Sequence, residues 1–139
     1  MFTVVFAIAV VFLTALIVDG GIAMSARQRA ADIAEQAARA AAGDIDVITL
    51  RTTGTARIGP GACLRAGLLV QRYAQDASTG VDRVTGAVMT SCQVIGTNTA
   101  TVQVTITTRP LIPGVLGRFT ETARESATAQ CGIITGAPC

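Results

Sequence analysis

Three groups of residues in this 139-residue chain have types and spacings that could carry chemistry, and each also has a plain structural reading. Asp44 and Asp46 stand two apart and are conceivable as paired carboxylates for acid–base work. Aspartate is equally a standard turn former, because its short side chain bonds nearby backbone, and a solvated turn is the stronger reading. Gly59-Pro60-Gly61 lacks the Lys-Ser/Thr with which a glycine-rich loop holds phosphate, so it reads as a turn. Cys63, Cys92, Cys131 and Cys139 form no C-x-x-C pair, which removes zinc spacing and a thioredoxin-type motif. A cysteine nucleophile would need a histidine partner, and the chain contains no histidine. The usual general base and commonest metal ligand near neutral pH are therefore missing. No enzyme is expected, and no cofactor, metal site or small-molecule substrate.

The elements around these residues explain what the cysteines are for. Half of the chain is hydrophobic but only 4% is aromatic, so the apolar content is mostly alanine and valine and large aromatic pockets are not expected. A net charge of +2 with no basic cluster or aromatic platform gives no reason to expect nucleic acid. Phe2 to Val18 is an uncharged run, polar only at Thr3 and Thr14. As a helix it spans about 26 Å, close to a bilayer's hydrocarbon thickness. The positive leader region of a secretory signal is missing, and a buried core helix is rarely so uniformly apolar. The run reads as a retained membrane helix that exits at Asp19, ahead of Gly20-Gly21. All four cysteines lie beyond it, which fits disulfides in an oxidising compartment.

Ser25 to Ala42 is rich in helix formers and free of glycine and proline. Ala26, Ala30, Ile33, Ala37 and Ala41 recur at spacings of three and four, giving one narrow apolar stripe that permits close helix approach. Packing against the chain's own head and packing against a partner subunit both satisfy that stripe. Residues 1–43 are thus read as membrane helix plus amphipathic stem, and residues 44–139 as an extracytoplasmic head. Within the head, 44–61 reads as a connection and Ala62 to Ala77 as a second helix, with Leu64, Leu68, Leu69, Tyr73 and Ala77 on its apolar face.

The remainder reads as strands. Val84 to Ile95 is β-branched, with Val88, Thr90, Cys92 and Val94 on one parity. After a turn at Thr97-Asn98-Thr99, Ala100 to Thr108 alternates Val102, Val104 and Ile106 with polar residues, placing one face on a core and one in water. Leu111 to Leu116 is an apolar loop, and Phe119 to Cys131 resumes a strand pattern. That last pattern puts Ala123, Ala127, Ala129 and Cys131 on one side, together with Glu121 and Glu125. The fold class is α+β: a long helix, a second helix and a small antiparallel sheet. Four cysteines allow three connectivities, and strand parity favours Cys92–Cys131, leaving Cys63 for Cys139.

The first third of the chain resembles the N-terminal signature of TadE/TadG-like proteins of tight-adherence pilus systems. The step Val18-Asp19-Gly20-Gly21 and the stem residues Ala26, Arg27, Arg29, Ala30, Asp32, Ala34, Ala37, Ala38, Arg39 and Ala40 carry the likeness. It implies a pilin-like or pseudopilin subunit whose N-terminal helix lies in membrane lipid before assembly. The sequence departs from the wider pilin class in having no glutamate within Met1 to Val18. Subunit packing is expected through Phe6, Ala9, Phe12, Leu13 and Leu16, and through the stem residues Ala26, Ala30, Ile33 and Ala37. Self-association or other pilus subunits are the expected partners. The other class left open is a solitary anchored envelope protein whose head binds part of a secretion apparatus. Arg27 and Arg29 oppose export by the positive-inside rule, which weakens for long translocated domains. The cysteines and threonine-rich strands favour the outside, and an exported head is the expectation.

Overall fold

The computed structural model describes residues 2–79, 84–109 and 118–130. Helix α1 (Phe2–Ala42) runs without interruption through Gly20-Gly21, so membrane run and stem form one hydrogen-bonded element. A short helix α2 (Val47–Thr53) and a longer α3 (Ala62–Thr79) follow. Strands β1 (Val84–Ile95), β2 (Thr99–Thr108) and β3 (Phe119–Thr128) form an antiparallel meander in the order β1-β2-β3. Both long helices lie on one face of this sheet, α1 across β2 and β3 and α3 across β1. The result is a two-layer α+β head whose central helix is the stem.

The core is built on small residues. Ala30, Ala34, Ala37, Ala38 and Ala41 of α1 are fully buried, as are Ala66 of α3 and Val102, Val104 and Ile106 of β2. With methyl groups in the seam, α1 approaches α3 and the sheet closely, and many short dispersion contacts stand in for aromatic bulk. The alanine stripe therefore packs against the chain's own head. Ile33 is only partly buried at its margin, and Ala34 and Ala38 widen the stripe.

Three expectations are corrected. Residues 47–53 are helical rather than part of a connection, although Val, Ile and Thr are weak helix formers. The helix is held by its ends: Asp46 Oδ1 accepts from the backbone N–H groups of Ile48 and Thr49 at 3.0 and 3.2 Å. Gly54 closes it in the left-handed conformation at φ 71°, where a side chain would be strained. Second, α3 buries Ala62, Ala66 and Val70, while Leu64 and Leu68 face outward at 69% and 51% exposure. A close seam selects the smallest face of a helix rather than its bulkiest. Third, Val88 points to solvent whereas Cys92 points inward, although the two share sequence parity. The register against β2 shifts between Met89 and Ser91, leaving Thr90 as an extra residue. Such a bulge reverses alternation, so Ala87 and Met89 face the helices before it and Cys92 after it.

On β3 the expected parity holds: Ala123 and Ala127 oppose Val104 and Ala100 on the helix side, with Glu121 and Glu125 on that same side. The far face of the sheet carries hydroxyl rows, with Thr105 meeting Thr122 at 2.9 Å and Thr99 meeting Thr128 at 3.2 Å.

Candidate functional site

The two aspartates that could have formed a carboxylate pair are drawn into separate structural tasks. Asp44 follows the end of α1, and its Oδ1 accepts from Arg65 Nε at 2.9 Å. Its backbone carbonyl accepts from Gly59 N–H at 2.5 Å. A side chain at Gly61 would meet Asp44 Oδ2 at 2.9 Å, so Gly59-Pro60-Gly61 wraps this carboxylate by having no side chain at its glycines. The turn thus ties the end of the stem to the start of α3. The alternation of glycine with proline marked a turn but gave no sign of what it would enclose.

Asp46 is the cap of α2. Its carboxyl is held below the ordinary carboxylate range, first by the Thr49 hydroxyl, then by the Thr49 and Ile48 amides, with a weaker contribution from Arg57. A carboxylate with a lowered folded pKa stabilises the fold above its unfolded value of about 3.8, and that stabilisation is lost as pH falls through the folded pKa. We expect α2 to fray below about pH 3.8, read as faster amide exchange at Ile48 and Thr49 while the sheet amides stay protected. Asp46→Ala should produce the same fraying at neutral pH.

A groove of about 340 Å³ lies between α1, α3 and the sheet, lined by Arg29, Asp32, Gln36, Tyr73, Asp76 and the apolar side chains of Ile33 and Ile106 among others. Its Tyr73 hydroxyl donates to Gln36 Oε1, so the phenol is engaged in fixing α3 to α1. Arg39 pairs with Glu35 along the helix surface. Among the described residues no group of three His, Cys, Asp or Glu side chains is placed to hold a metal ion.

The surface that stands out is apolar. Phe6, Phe12, Leu13 and Leu16 are each 60–66% exposed, and Ala9 is exposed with them, so the whole run Phe2–Val18 projects from the head with no packing partner among the described residues. Ala26, Ala30 and Ala37, expected beside them as a packing set, are instead inside the head. Asp19 is only 3% exposed, so its carboxylate is sheltered by protein where the run ends. Alpha1 is long and apolar enough to cross a membrane.

The cysteines complete the picture. Cys63, at the start of α3, is bonded to Cys92 on β1, with an S–S distance of 2.02 Å and Cα atoms 5.8 Å apart. This overturns the expected Cys92–Cys131 and Cys63–Cys139 pairing. The bulge at Thr90 sets the Cys92 side chain toward the helix layer, and α3 rather than β3 lies over β1. Cys131 and Cys139 lie outside the described residues.

A single projecting apolar helix thus doubles as the core of a small disulfide-bonded α+β head. Residues 1–44 match the family model described as putative Flp pilus-assembly TadE/G-like, the family that the Val18–Gly21 step and the alanine-rich stem resemble. No curated protein and no solved structure matches the chain.

Proposed function

We propose that this chain is a non-catalytic structural subunit of a bacterial surface pilus, or of the apparatus that assembles one. Its apolar run Phe2–Val18 sits in membrane lipid before assembly and packs against the same run of neighbouring subunits afterwards. The observation that carries the reading is the division of α1 within one helix: residues 2–18 are apolar and bare, and residues 26–42 are locked into the head. A subunit built this way presents one sticky element rigidly joined to a folded head. The family match over 1–44 supports a role in pilus assembly, and the Cys63–Cys92 bond supports a head in an oxidising, extracytoplasmic compartment. Under this reading the partners are lipid and other pilus subunits, with nucleic acid and small-molecule substrates playing no part.

Ala9→Arg tests it. A charge in mid-helix costs roughly 2.5–3.5 kcal/mol on insertion scales, while the exposed position leaves the head untouched. Surface display and filament formation should both be lost, with the head's circular dichroism unchanged. Normal display of this variant would sink the proposal.

One observation favours the second reading, a solitary envelope anchor whose head binds a secretion component. The stem alanines are already covered by the head, which leaves only residues 2–18 for helix–helix assembly. Sedimentation after mild detergent extraction separates the two: a filament subunit pellets as a high-mass polymer, and a simple anchor stays in small micelles.

A further inference from the structure

We propose that one face of α1, carrying Phe6, Leu13, Ile17 and Met24 with Gly20-Gly21 between the last two, docks the same face of a second copy lying parallel to it in the bilayer. The proposal rests on the reading of Phe2–Val18 as the membrane-embedded part of α1.

The apolar run does not choose a face by itself. Its large side chains are exposed all round, Phe12 and Leu16 as much as Leu13 and Ile17. The choice is made just past the run, where the head begins to cover one side of the helix. Successive residues turn about 100° round an α-helix. On that count the buried Ala26 and Ala30 lie within about 20° of Asp19, which is only 3% exposed, so these three mark the covered side. Gly20, Leu13, Phe6, Met24, Ile17 and Gly21 stand about 100–200° round from Asp19, and all six are exposed. Phe12 and Ile8, by contrast, fall within about 20° of Asp19, beneath the head.

Two features of the open face call for a covering helix. Met24 is 75% exposed and stands about 9 Å past Val18, where it meets water or headgroups rather than hydrocarbon. Gly20 and Gly21 are poor helix formers in an element that runs straight through them. A Cβ on either would meet no atom within 4 Å, so no contact inside the chain calls for glycine there. Missing side chains let a second helix approach closely, which is the use small residues have between membrane helices.

The occupant must lie in the bilayer beside Phe6 to Ile17 and continue past it beside Gly20 to Met24. It is therefore a helix that is apolar for the width of a membrane and then extends beyond, as α1 itself does. Past Val18 the other side of each α1 is covered by its own head, so two copies at the same depth can meet there only through their open faces. The pair is then parallel and isologous, with its two-fold axis along α1 and the two heads pointing apart. Arg27 stands about 60° from Met24 round the helix, and the two-fold axis places the two Arg27 side chains on opposite flanks of the contact, where they do not oppose each other. Asp19 of each copy faces away from it.

The test uses the full chain in phosphatidylcholine vesicles, with a photoreactive amino acid replacing Ile17, Met24, Phe12 or Ile8 in turn. Ile17 and Met24 should yield a covalent dimer, and Phe12 and Ile8 little of it. The Met24 product, mapped to the same stretch of the other copy, reports the parallel direction. Gly21→Leu should weaken pairing roughly tenfold or more, the scale of forcing extra methylenes into a close contact, read as less dimer at a given lipid-to-protein ratio. Gly21→Ala should weaken it less. The head's circular dichroism should be unchanged in both, because the position is open within one chain. Equal cross-linking at all four positions, or none from chain fully incorporated into the vesicles, would overturn this inference and leave the membrane reading standing. Equal losses from alanine and leucine would assign the glycines to bending of the helix rather than to close contact, and that too overturns it. Failure of the wild type to incorporate would overturn both.

Discussion

Ala37→Asp is expected to unfold the head, whereas Gln28→Asp on the exposed side of the same helix is expected to leave it intact. Ala37 is fully buried in the seam that α1 makes with α3 and the sheet. A carboxylate there displaces neighbouring methyl groups and leaves water with no partner in exchange, and an uncompensated buried charge typically costs about 3–5 kcal/mol. A domain of this size is stable by only about 5–15 kcal/mol, so the variant sits at or near the unfolding threshold. Chemical unfolding of the purified, detergent-solubilised chain, followed by far-ultraviolet circular dichroism, gives the comparison. The long helix extends beyond the head, so the informative signals are the β-sheet band and the urea midpoint rather than total helicity. An unchanged midpoint for Ala37→Asp would mean that the alanine stripe is not the core of this protein.

The expected outcome has a functional side. Because the stem is the central helix of the head, damage at Ala37 reaches the sheet without touching residues 2–18, whereas Ala9→Arg does the reverse. The two substitutions lie on one helix and separate anchoring from folding.

That division was only half legible in the sequence. Periodicity gave the stripe, since spacings of three and four mark one face of a helix whatever covers it. What covers it depends on contacts between residues far apart in the chain, and alanine fits a partner subunit as well as a sheet. The limits of β2 were plain because its Thr-Val alternation and the turn before it are local signals, whereas β3 ends at Thr128, short of the Cys131 expected. The reversal of parity within β1 was not, because the extra residue at Thr90 follows from pairing with β2 rather than from β1's own composition. The misread pairing of Cys92 has another source: the side chain does face the core, but β2 stands between β1 and β3, so α3 rather than β3 supplies its partner. Helix α2 was hidden for a different reason: its residues are poor helix formers, and its stability comes from Asp46 and Gly54 at its ends. An aspartate three residues ahead of a threonine, with glycine eight residues on, was the available signal. Leu64 and Leu68 misled because size was taken as the mark of burial in a protein whose core is built from methyl groups.

Cys63→Ser and Cys92→Ser are each expected to lower stability by ~3.5 kcal/mol, the loop-closure value for cysteines 29 residues apart. Such a loss moves the thermal midpoint of a domain this size by on the order of 15 °C. The bond joins the first turn of α3 to β1 just past the bulge, so it closes the main helix–sheet contact of α3, in which α1 takes no part. The double variant should be no less stable than either single one, because both remove the same cross-link. Reducing agent should bring the wild type to the same midpoint. Peptide mapping without reduction checks the connectivity directly. Trypsin, which does not cut before Pro110, leaves Cys63 in fragment 58–65, Cys92 in fragment 84–118, and Cys131 with Cys139 in fragment 125–139. Fragments 58–65 and 84–118 should travel as one species until reduced. Fragment 125–139 joined to either of them would refute the Cys63–Cys92 bond. Free Cys63 and Cys92 in protein recovered from outside the cell would remove the disulfide argument for an oxidising compartment, leaving the exported head without its strongest support.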